Sequence, residues 1–286
     1  MRYEAPATMD EAVALLAGAA GNGRVLAGGT DLLVQLRAER VDPGLVVDIK
    51  RVPGMLDIQQ TADGFRIGAA VPGARLTEHG ALCAAWPGVT EAAGLIGSDQ
   101  IQGRASLGGN LCNASPAADS VPAMVAADAR VVIVGPGGRR ELPVAEVPSG
   151  PGKTALQPGE IVEAILLPPR PPGSADAYLR FIPRSEMDIA VVGVAVNLTL
   201  DGSGTCTAAR VALGAVAARV LLVEDAGAAL VGTSLDDAAL DRLAAACSAA
   251  CRPIDDKRGT IEFRTKVAGV LARRAARTAQ DRARRA

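Results

Sequence analysis

Gly103-Arg104-Ala105-Ser106-Leu107-Gly108-Gly109-Asn110-Leu111-Cys112-Asn113-Ala114-Ser115-Pro116-Ala117-Ala118-Asp119 gathers a glycine pair, small hydroxyl and amide side chains and one acid into a short span. Lacking a Cβ, Gly108 and Gly109 let the main chain take unusual φ/ψ values and bring its N–H groups against a diphosphate or a planar ring. Ser106, Asn110, Ser115 and Asp119 are then free to bond phosphate and sugar hydroxyls. Taken alone, the same residues also describe a polar loop around a structural glycine turn.

A second glycine pair lies upstream, in Arg24-Val25-Leu26-Ala27-Gly28-Gly29-Thr30-Asp31-Leu32-Leu33-Val34-Gln35-Leu36. An apolar run stops at the glycines and a helical pattern begins at once, so a strand is expected to feed into a helix N-terminus. Unpaired N–H groups and the positive end of the helix dipole favour an anion there. Thr30 is expected to cap the helix and to reach a phosphate oxygen. An ordinary strand-turn-helix connection is the other reading of this segment in isolation.

The pair Ala27-Gly28-Gly29-Thr30-Asp31-Leu32 and Ser106-Leu107-Gly108-Gly109-Asn110, followed by Ala114-Ser115-Pro116-Ala117-Ala118-Asp119, resembles the FAD-binding medium subunit of molybdenum hydroxylases, the xanthine dehydrogenase and carbon monoxide dehydrogenase family. The resemblance runs on through Gly159-Glu160-Ile161-Val162, Phe181-Ile182-Pro183-Arg184-Ser185-Glu186-Met187-Asp188-Ile189-Ala190 and Val191-Val192-Gly193-Val194-Ala195, and so covers nearly the whole chain. It implies an α+β fold: a two-subdomain FAD-binding domain of the PCMH/vanillyl-alcohol-oxidase type, then a C-terminal domain with an antiparallel sheet and helices.

Composition is consistent with that. A chain of 286 residues exceeds one usual domain. Hydrophobic residues make up 49% and aromatics only 2%, so the core is built from Ala, Val, Leu and Ile and offers few platforms for stacking on bases. A net charge of −1 argues against a nucleic-acid binder. The one dense basic run, Arg273, Arg274, Arg277, Arg282, Arg284 and Arg285, reads as a solvated helix face, with partner docking as the alternative. Met1-Arg2-Tyr3-Glu4-Ala5-Pro6 is no apolar leader, and no stretch is expected to span a membrane. Five scattered cysteines, Cys83, Cys112, Cys206, Cys247 and Cys251, suit a reducing compartment, and a cytoplasmic protein is expected. None has the spacing of an iron–sulfur or metal site, nor is there the cluster-bearing insertion of the hydroxybenzoyl-CoA reductase relatives. Cys247 and Cys251, a helical turn apart, are expected to be core thiols.

Along the chain, Thr8-Met9-Asp10-Glu11 is a capping box for a helix over 12–19, strands are expected at 24–27 and 45–49, and a helix at 31–39. This makes an α/β subdomain of residues 1–52. A second, α+β subdomain over 53–170 should hold short strands at 56–58 and 65–68, helices at 77–84 and 89–96, and a hairpin from Val131-Val132-Ile133-Val134 to Glu141-Leu142-Pro143-Val144 turning at Gly135-Pro136-Gly137-Gly138. Pro168-Pro169-Arg170-Pro171-Pro172-Gly173 is the linker candidate. In the C-terminal domain, 174–286, strands at 190–200 and 205–215 are joined by Asp201-Gly202-Ser203-Gly204. Ser234-Leu235-Asp236-Asp237 reads as a capping box for a helix to about Cys251, and Thr260 as the cap of a final amphipathic helix.

Two decoys fail on spacing. Gly150-Pro151-Gly152-Lys153-Thr154 lacks the first glycine of a P-loop, since Val147 stands there, and Gly135-Pro136-Gly137-Gly138-Arg139-Arg140 has Arg140 where a dinucleotide fingerprint needs its last glycine. The one histidine, His79, is expected to be exposed; Ser-His-Asp hydrolysis would need it as base.

The resemblance also implies site residues. Val25, Leu26, Ala27, Gly28, Gly29, Thr30, Asp31 and Leu32 should wrap the flavin diphosphate, and Ile96 falls at an apolar contact to the cofactor. Ser106, Leu107, Gly108, Gly109 and Asn110 should pass beside the isoalloxazine and diphosphate. Asp119 should bond the ribose or ribityl hydroxyls, beside the Ser115 already read from its residue type, Val162 should offer a backbone contact, and Arg180 matches a basic position near the ring, in place of a lysine in some relatives. Thr30 stands where covalently flavinylated relatives carry His or Cys, which implies noncovalent FAD. No catalytic acid, base or metal ligand is implied in this chain. The expected partners are a large molybdopterin-binding subunit, a small [2Fe-2S] subunit, and an external electron acceptor: NAD, a quinone or a redox protein. A stand-alone flavin-dependent oxidoreductase of the same fold, and a noncatalytic nucleotide-binding regulator, are the competing readings.

Overall fold

The computed structural model describes all residues from Met1 to Ala286. Strands β1 (Arg2–Glu4), β2 (Gly23–Leu26) and β3 (Leu45–Asp48) form a parallel three-stranded sheet in the order β1-β3-β2, with helices α1 (Met9–Gly18) and α2 (Leu32–Arg37) in the connections. The middle strand, Leu45-Val46-Val47-Asp48, is buried throughout, as a parallel strand between two neighbours requires. The expected capping box forms: Thr8 Oγ1 accepts from Glu11 N at 3.2 Å, and Glu11 Oε2 accepts from Thr8 N at 3.2 Å. Thr30 does not cap α2. Asp31 holds that position in a helical conformation and with no side-chain cap, so the helix begins one residue later than expected and ends at Arg37.

The next stretch builds an antiparallel five-stranded sheet in the order β4-β5-β10-β6-β7 from β4 (Ile58–Thr61), β5 (Gly64–Gly68), β6 (Arg130–Gly135), β7 (Gly138–Pro143) and β10 (Ile161–Leu167), with β8 (Pro148–Gly150) and β9 (Lys153–Thr154) as a small separate hairpin. Between β5 and β6 run six short helices: α3 (Gly73–Thr77), α4 (Gly80–Ala85), α5 (Pro87–Gly94), α6 (Asp99–Gln102), α7 (Leu107–Cys112) and α8 (Ser120–Ala126). The predicted strand at 56–58 begins only at Ile58, and the predicted helix at 77–84 is broken at Glu78-His79. His79 is half-buried rather than exposed. Its Nδ1 accepts from Leu82 N at 3.2 Å, capping α4, and its ring meets Phe65 edge-on at 6.2 Å.

The C-terminal part is an antiparallel sheet in the order β11-β12-β13-β14, made of β11 (Ser174–Phe181), β12 (Val192–Leu200), β13 (Cys206–Gly214) and β14 (Leu221–Leu222), with α9 (Glu224–Ala228), α10 (Asp237–Ala250) and α11 (Ile261–Ala283). Helix α11 lies on β11 and β12 and against α10. Its buried face is largely alanine, which lets the helix approach the sheet closely. Thr260 caps it as predicted, whereas α10 is capped by Asp236, not Ser234. Cys247 and Cys251 are buried core thiols, raised by burial to about 12 and about 11.

A polar seam joins this part to the helices of the preceding one. Arg170, within the proline-rich stretch, stacks on Trp86 at 4.2 Å, bonds Asp176 Oδ1 and Asn197 Oδ1 at 2.9 Å each, and donates to Ala85 O. Asp176 Oδ2 in turn accepts from Val89 N at 3.2 Å. The predicted linker is therefore a packed crossing. Three of the six C-terminal arginines are engaged: Arg273 and Arg277 pair with acids of α10, and Arg282 pairs with Glu91 of α5.

Candidate functional site: a glycine-walled cleft

The two glycine segments meet. At Gly28, a Cβ would lie 1.9 Å from Arg104 O, a backbone atom that cannot yield, so only glycine lets the first segment pass against the second. Gly29 takes a positive φ of +78°, turning the chain from β2 towards α2. In this turn the N–H groups of Gly28, Gly29, Thr30 and Asp31 find no acceptor within the chain. Such a run of free donors at a strand-to-helix turn is an anion cradle.

The second segment is neither the polar loop of its alternative reading nor a run of unusual backbone angles: Gly108 and Gly109 lie inside α7 with ordinary helical φ. Ser106 caps α7, its Oγ accepting from Gly109 N at 3.1 Å. Gly108 N donates to Ala69 O at 3.2 Å, and a Cβ at Gly108 would lie 2.5 Å from that oxygen. The side chains of α7 brace the wall: Asn110 Oδ1 accepts from Ser120 Oγ at 2.7 Å, and Asn113 Oδ1 accepts from Gln35 Nε2 of α2 at 3.0 Å. Beneath the first segment, Lys50 Nζ donates to Ala27 O at 2.9 Å and to Asp48 Oδ1 at 2.8 Å, while Tyr3 donates to Asp48 Oδ2 at 2.7 Å. Burial would raise the Asp48 carboxyl, but the hydrogen bonds from Lys50 and Tyr3 outweigh it and hold it below its ordinary range.

Between these walls lies a cleft of about 690 Å³, within the roughly 300–1,000 Å³ of ordinary ligand sites. Of the residues predicted from sequence, Val25, Ala27, Gly28, Gly29, Thr30, Asp31, Leu32, Ile96, Ser106, Gly108, Gly109, Asn110 and Val162 line it. Leu26, Leu107, Ser115, Asp119 and Arg180 do not. Leu107 is buried in the core, and Ser115 Oγ accepts from Ala117 N at 3.2 Å. Asp119 and Arg180 pair with each other at 2.8 Å, and Tyr178 donates to Asp119 Oδ1 at 3.2 Å. This pair sits behind the wall, one residue from the Ser120 that braces Asn110. Burial pushes the Asp119 carboxyl up in spite of Arg180, and pushes the Tyr178 hydroxyl well above its ordinary value.

The cleft also holds residues not singled out from sequence: Arg24, Arg40, Gln35, Cys112, Asn113, and the segments Gly152, Thr154 and 157–161. The β8–β9 hairpin, dismissed correctly as a P-loop, reaches the wall by its Gly152 turn at φ +68°, and Gly159 turns at φ +84° into β10. Those two turn glycines were the available signal. The titratable groups present are few. Burial raises the Cys112 thiol to about 12. Asp31 is exposed at the cleft mouth, yet desolvation by the walls raises its carboxyl. Glu160 is held low by a two-pronged bond from Arg140, at 2.7 and 2.8 Å. No group of three or more His, Cys, Asp or Glu side chains converges to hold a metal. Free backbone donors and a partly apolar cleft of this volume suit a diphosphate-bridged cofactor such as FAD.

Comparison with known proteins agrees over the whole length. Residues 1–170 match the family described as the FAD binding domain in molybdopterin dehydrogenase, and residues 177–279 match the CO dehydrogenase flavoprotein C-terminal domain. The carbon monoxide dehydrogenase medium chain of Afipia carboxidovorans is 36% identical over 281 residues, covering 98% of this chain and 97% of that one. The xanthine dehydrogenase FAD-binding subunit of Escherichia coli O157:H7 is 31% identical over 264 residues, 92% of this chain and 90% of that one. Among solved structures, the reconstituted CO dehydrogenase from Oligotropha carboxidovorans superposes with a TM-score of 0.95 at 35% identity, covering 99% of this chain and 98% of that one. The mixed helix-and-sheet fold thus has its counterpart in a known group of oxidoreductase subunits: the chain belongs to the FAD-binding medium subunits of the molybdenum hydroxylases.

Proposed function

We propose that this chain is the electron-transfer subunit of a heteromeric molybdenum hydroxylase, in which a large molybdopterin-binding subunit and a small [2Fe-2S] subunit are its partners. The observation that carries this reading is the cleft itself. Its walls offer free backbone donors to a cofactor, while its one thiol is raised out of reach and Glu160 is tied to Arg140, which leaves Asp31 at the mouth as the one acid without a partner. That arrangement supports binding and orientation of a redox group, not a proton-moving reaction on a substrate of its own. It favours the relay over the stand-alone oxidoreductase.

Gly28, Gly29, Thr30 and Asp31 would hold the diphosphate through their free N–H groups, with Arg24 and Arg40 adding positive charge along the same wall. Ser106, Gly108, Gly109, Asn110, Ile96 and Val162 would border the rest of the cofactor. Asp119 and Arg180 would act from behind that wall through Ser120 and Asn110. When bound, FAD supplies a ring system that takes up and passes on electrons singly or in pairs. The walls carry neither a histidine nor a reactive thiol where a covalent flavin link would form, which supports noncovalent FAD. The external acceptor is NAD, a quinone or a redox protein.

The three sheets support units at 1–52, 53–170 and 174–286. Five unpaired cysteines support a reducing, cytoplasmic setting, and no helix is long and apolar enough to cross a membrane.

The visible spectrum of the purified full chain, before and after acid release of its chromophore, tests the reading. The expected result is a yellow protein that bleaches with dithionite and releases unmodified FAD. A protein that releases no flavin, or that oxidises a substrate in the absence of partner subunits, would overturn it.

A further inference from the structure

Strand β10 reads Ile-Val-Glu-Ala-Ile-Leu-Leu, and its one acid, Glu163, is buried. An acid in such a strand costs stability unless it is paired, and an apolar residue of similar size would serve the sheet as well or better. Glu163 is paired from both sides. Arg139 of β7 donates to it twice, Nη2 to Oε1 at 2.7 Å and Nε to Oε2 at 3.2 Å, and Arg66 of β5 places Nη2 2.9 Å from Oε2. The carboxylate therefore ties together strands on both flanks of β10.

Glu163 is also the extra residue of a β-bulge. The register of β10 on β6 runs Val162 to Ile133 and then Ala164 to Val132, so Glu163 has no partner of its own. A bulge re-aims the residues beside it, and Val162 on one side lines the cleft. The main chain continues the connection. Glu163 O accepts from Ala69 N at 3.0 Å, just past the end of β5, and Ala69 O accepts from Gly108 N at 3.2 Å. At Gly108 there is no slack, since the space for a Cβ is filled by Ala69. A displacement of Glu163 is thereby passed to both Val162 and the second glycine segment.

Resting on the reading of the cleft as the FAD site, we infer that Glu163, clamped by Arg66 and Arg139, is a positioning residue for the flavin. It fixes the bulge and, through Ala69, the backbone of Gly108 against which the cofactor lies.

The test measures FAD affinity by fluorescence titration, the visible band of bound flavin, and the melting temperature, in full-length wild type, Glu163→Gln, Arg139→Gln, Glu141→Gln and Gly28→Ala. Glu163→Gln keeps the shape and removes the charge that holds the two arginines. FAD binding is expected to weaken roughly tenfold with a shifted flavin band, and Arg139→Gln, at a largely exposed residue, to move both in the same direction by less. Glu141→Gln breaks an exposed ion pair with Arg130 on the same sheet and is expected to change neither. If Glu163→Gln lowers only the melting temperature, leaving affinity within about twofold and the band in place, Glu163 is merely structural and the inference falls. If Glu163→Gln does not fold, Arg139→Gln decides by the same criteria. If Gly28→Ala leaves FAD binding intact, it is the assignment of the cleft that is wrong, and the inference goes with it.

Discussion

In the cleft, backbone meets backbone: a methyl group at Gly28 would lie 1.9 Å from Arg104 O, and the free N–H groups beside it point to a ligand from outside the chain. In the C-terminal part, the polar approaches are made by side chains that satisfy one another, as Arg170 does with Asp176 and Asn197, or Arg264 with Asp256 at 2.7 Å and with Val191 O at 2.8 Å. One region leaves its backbone donors open; the other pairs most of its buried polar side chains internally, with only the Nε atoms of Arg170 and Arg210 left over. A change of a few atoms should therefore act on binding in the first region and on stability in the second.

The largest effect on FAD binding is expected at Gly28. Gly28→Ala drives a methyl into a carbonyl oxygen that belongs to the opposite wall, so the two glycine segments must separate. FAD affinity should fall by about 100-fold or more, equivalent to about 2.7 kcal/mol, as read by equilibrium titration. In the C-terminal hairpin, Gly202 has open space around its Cβ position, and Gly202→Ala should leave both affinity and melting temperature unmoved. Equal effects at the two glycines would erase the contrast.

Next comes the seam where the regions join. Asp176 is 3% exposed and bonds both Arg170 and Val89 N, so Asp176→Ala strands a buried guanidinium and a helix N–H together. The expected cost is about 3–5 kcal/mol in urea unfolding, with FAD affinity of the remaining folded protein preserved. A loss of under about 1 kcal/mol would mean that the seam behaves like solvent-exposed surface.

Acid should separate the regions less sharply. Glu160, at the cleft wall, is held below its ordinary value by Arg140. Because the folded value is the lower one, the stabilisation is present above the unfolded value of about 4.5 and is lost as pH falls through the folded one. Wild type should therefore exceed Glu160→Gln in stability at neutral pH, and the two curves should converge on acidification. Asp256, held low first by the Arg258 N–H and then by Arg264, gives the C-terminal part a decline of the same sign. A Glu160→Gln curve parallel to wild type down to the acid end would refute the assignment to this pair.

What could be read in advance divides along the same line. Thr8 and Thr260 announce their helices because a cap and its partner N–H lie within three residues, and Asp201-Gly202-Ser203-Gly204 announces its hairpin for the same local reason. The glycine segments reveal the cleft because the absence of a side chain is itself visible in sequence. Helix α7 was missed: two glycines lower its intrinsic propensity, and Ser106, Gln35 and Ser120 restore it by contacts only partly local. Strand β11 was missed because Asp176 and Arg180 interrupt its apolar pattern, and their partners lie in other elements: Arg170 and Val89 N for Asp176, and Asp119, 61 residues away, for Arg180. That last pairing also takes Asp119 and Arg180 off the cleft surface, which no spacing rule could foresee.

The caps themselves allow a smaller test. Thr260→Ala removes the bond to Phe263 N at 3.1 Å and should cost about 1 kcal/mol, seen in thermal unfolding and absent from FAD titration.

The smallest effect is expected from the arginine run on α11, and it carries the comparison outside the single chain. Arg277 Nη2 lies 2.6 Å from Asp237 Oδ1, but the two side chains remain 53% and 78% exposed. Solvent screening and the entropy of two long side chains reduce such a pair to about 0–1 kcal/mol, and Arg277→Ala should shift unfolding by no more than that. Arg282, by contrast, also donates to Asp176 O at 2.9 Å and reaches Glu91 across the seam. Arg282→Ala should therefore cost more than Arg277→Ala, although both belong to one basic run. If the two substitutions cost the same in the isolated chain, the run acts as a uniform charged face. A larger cost at Arg282 makes part of it internal structure and leaves only its exposed members, Arg277 among them, available to another subunit.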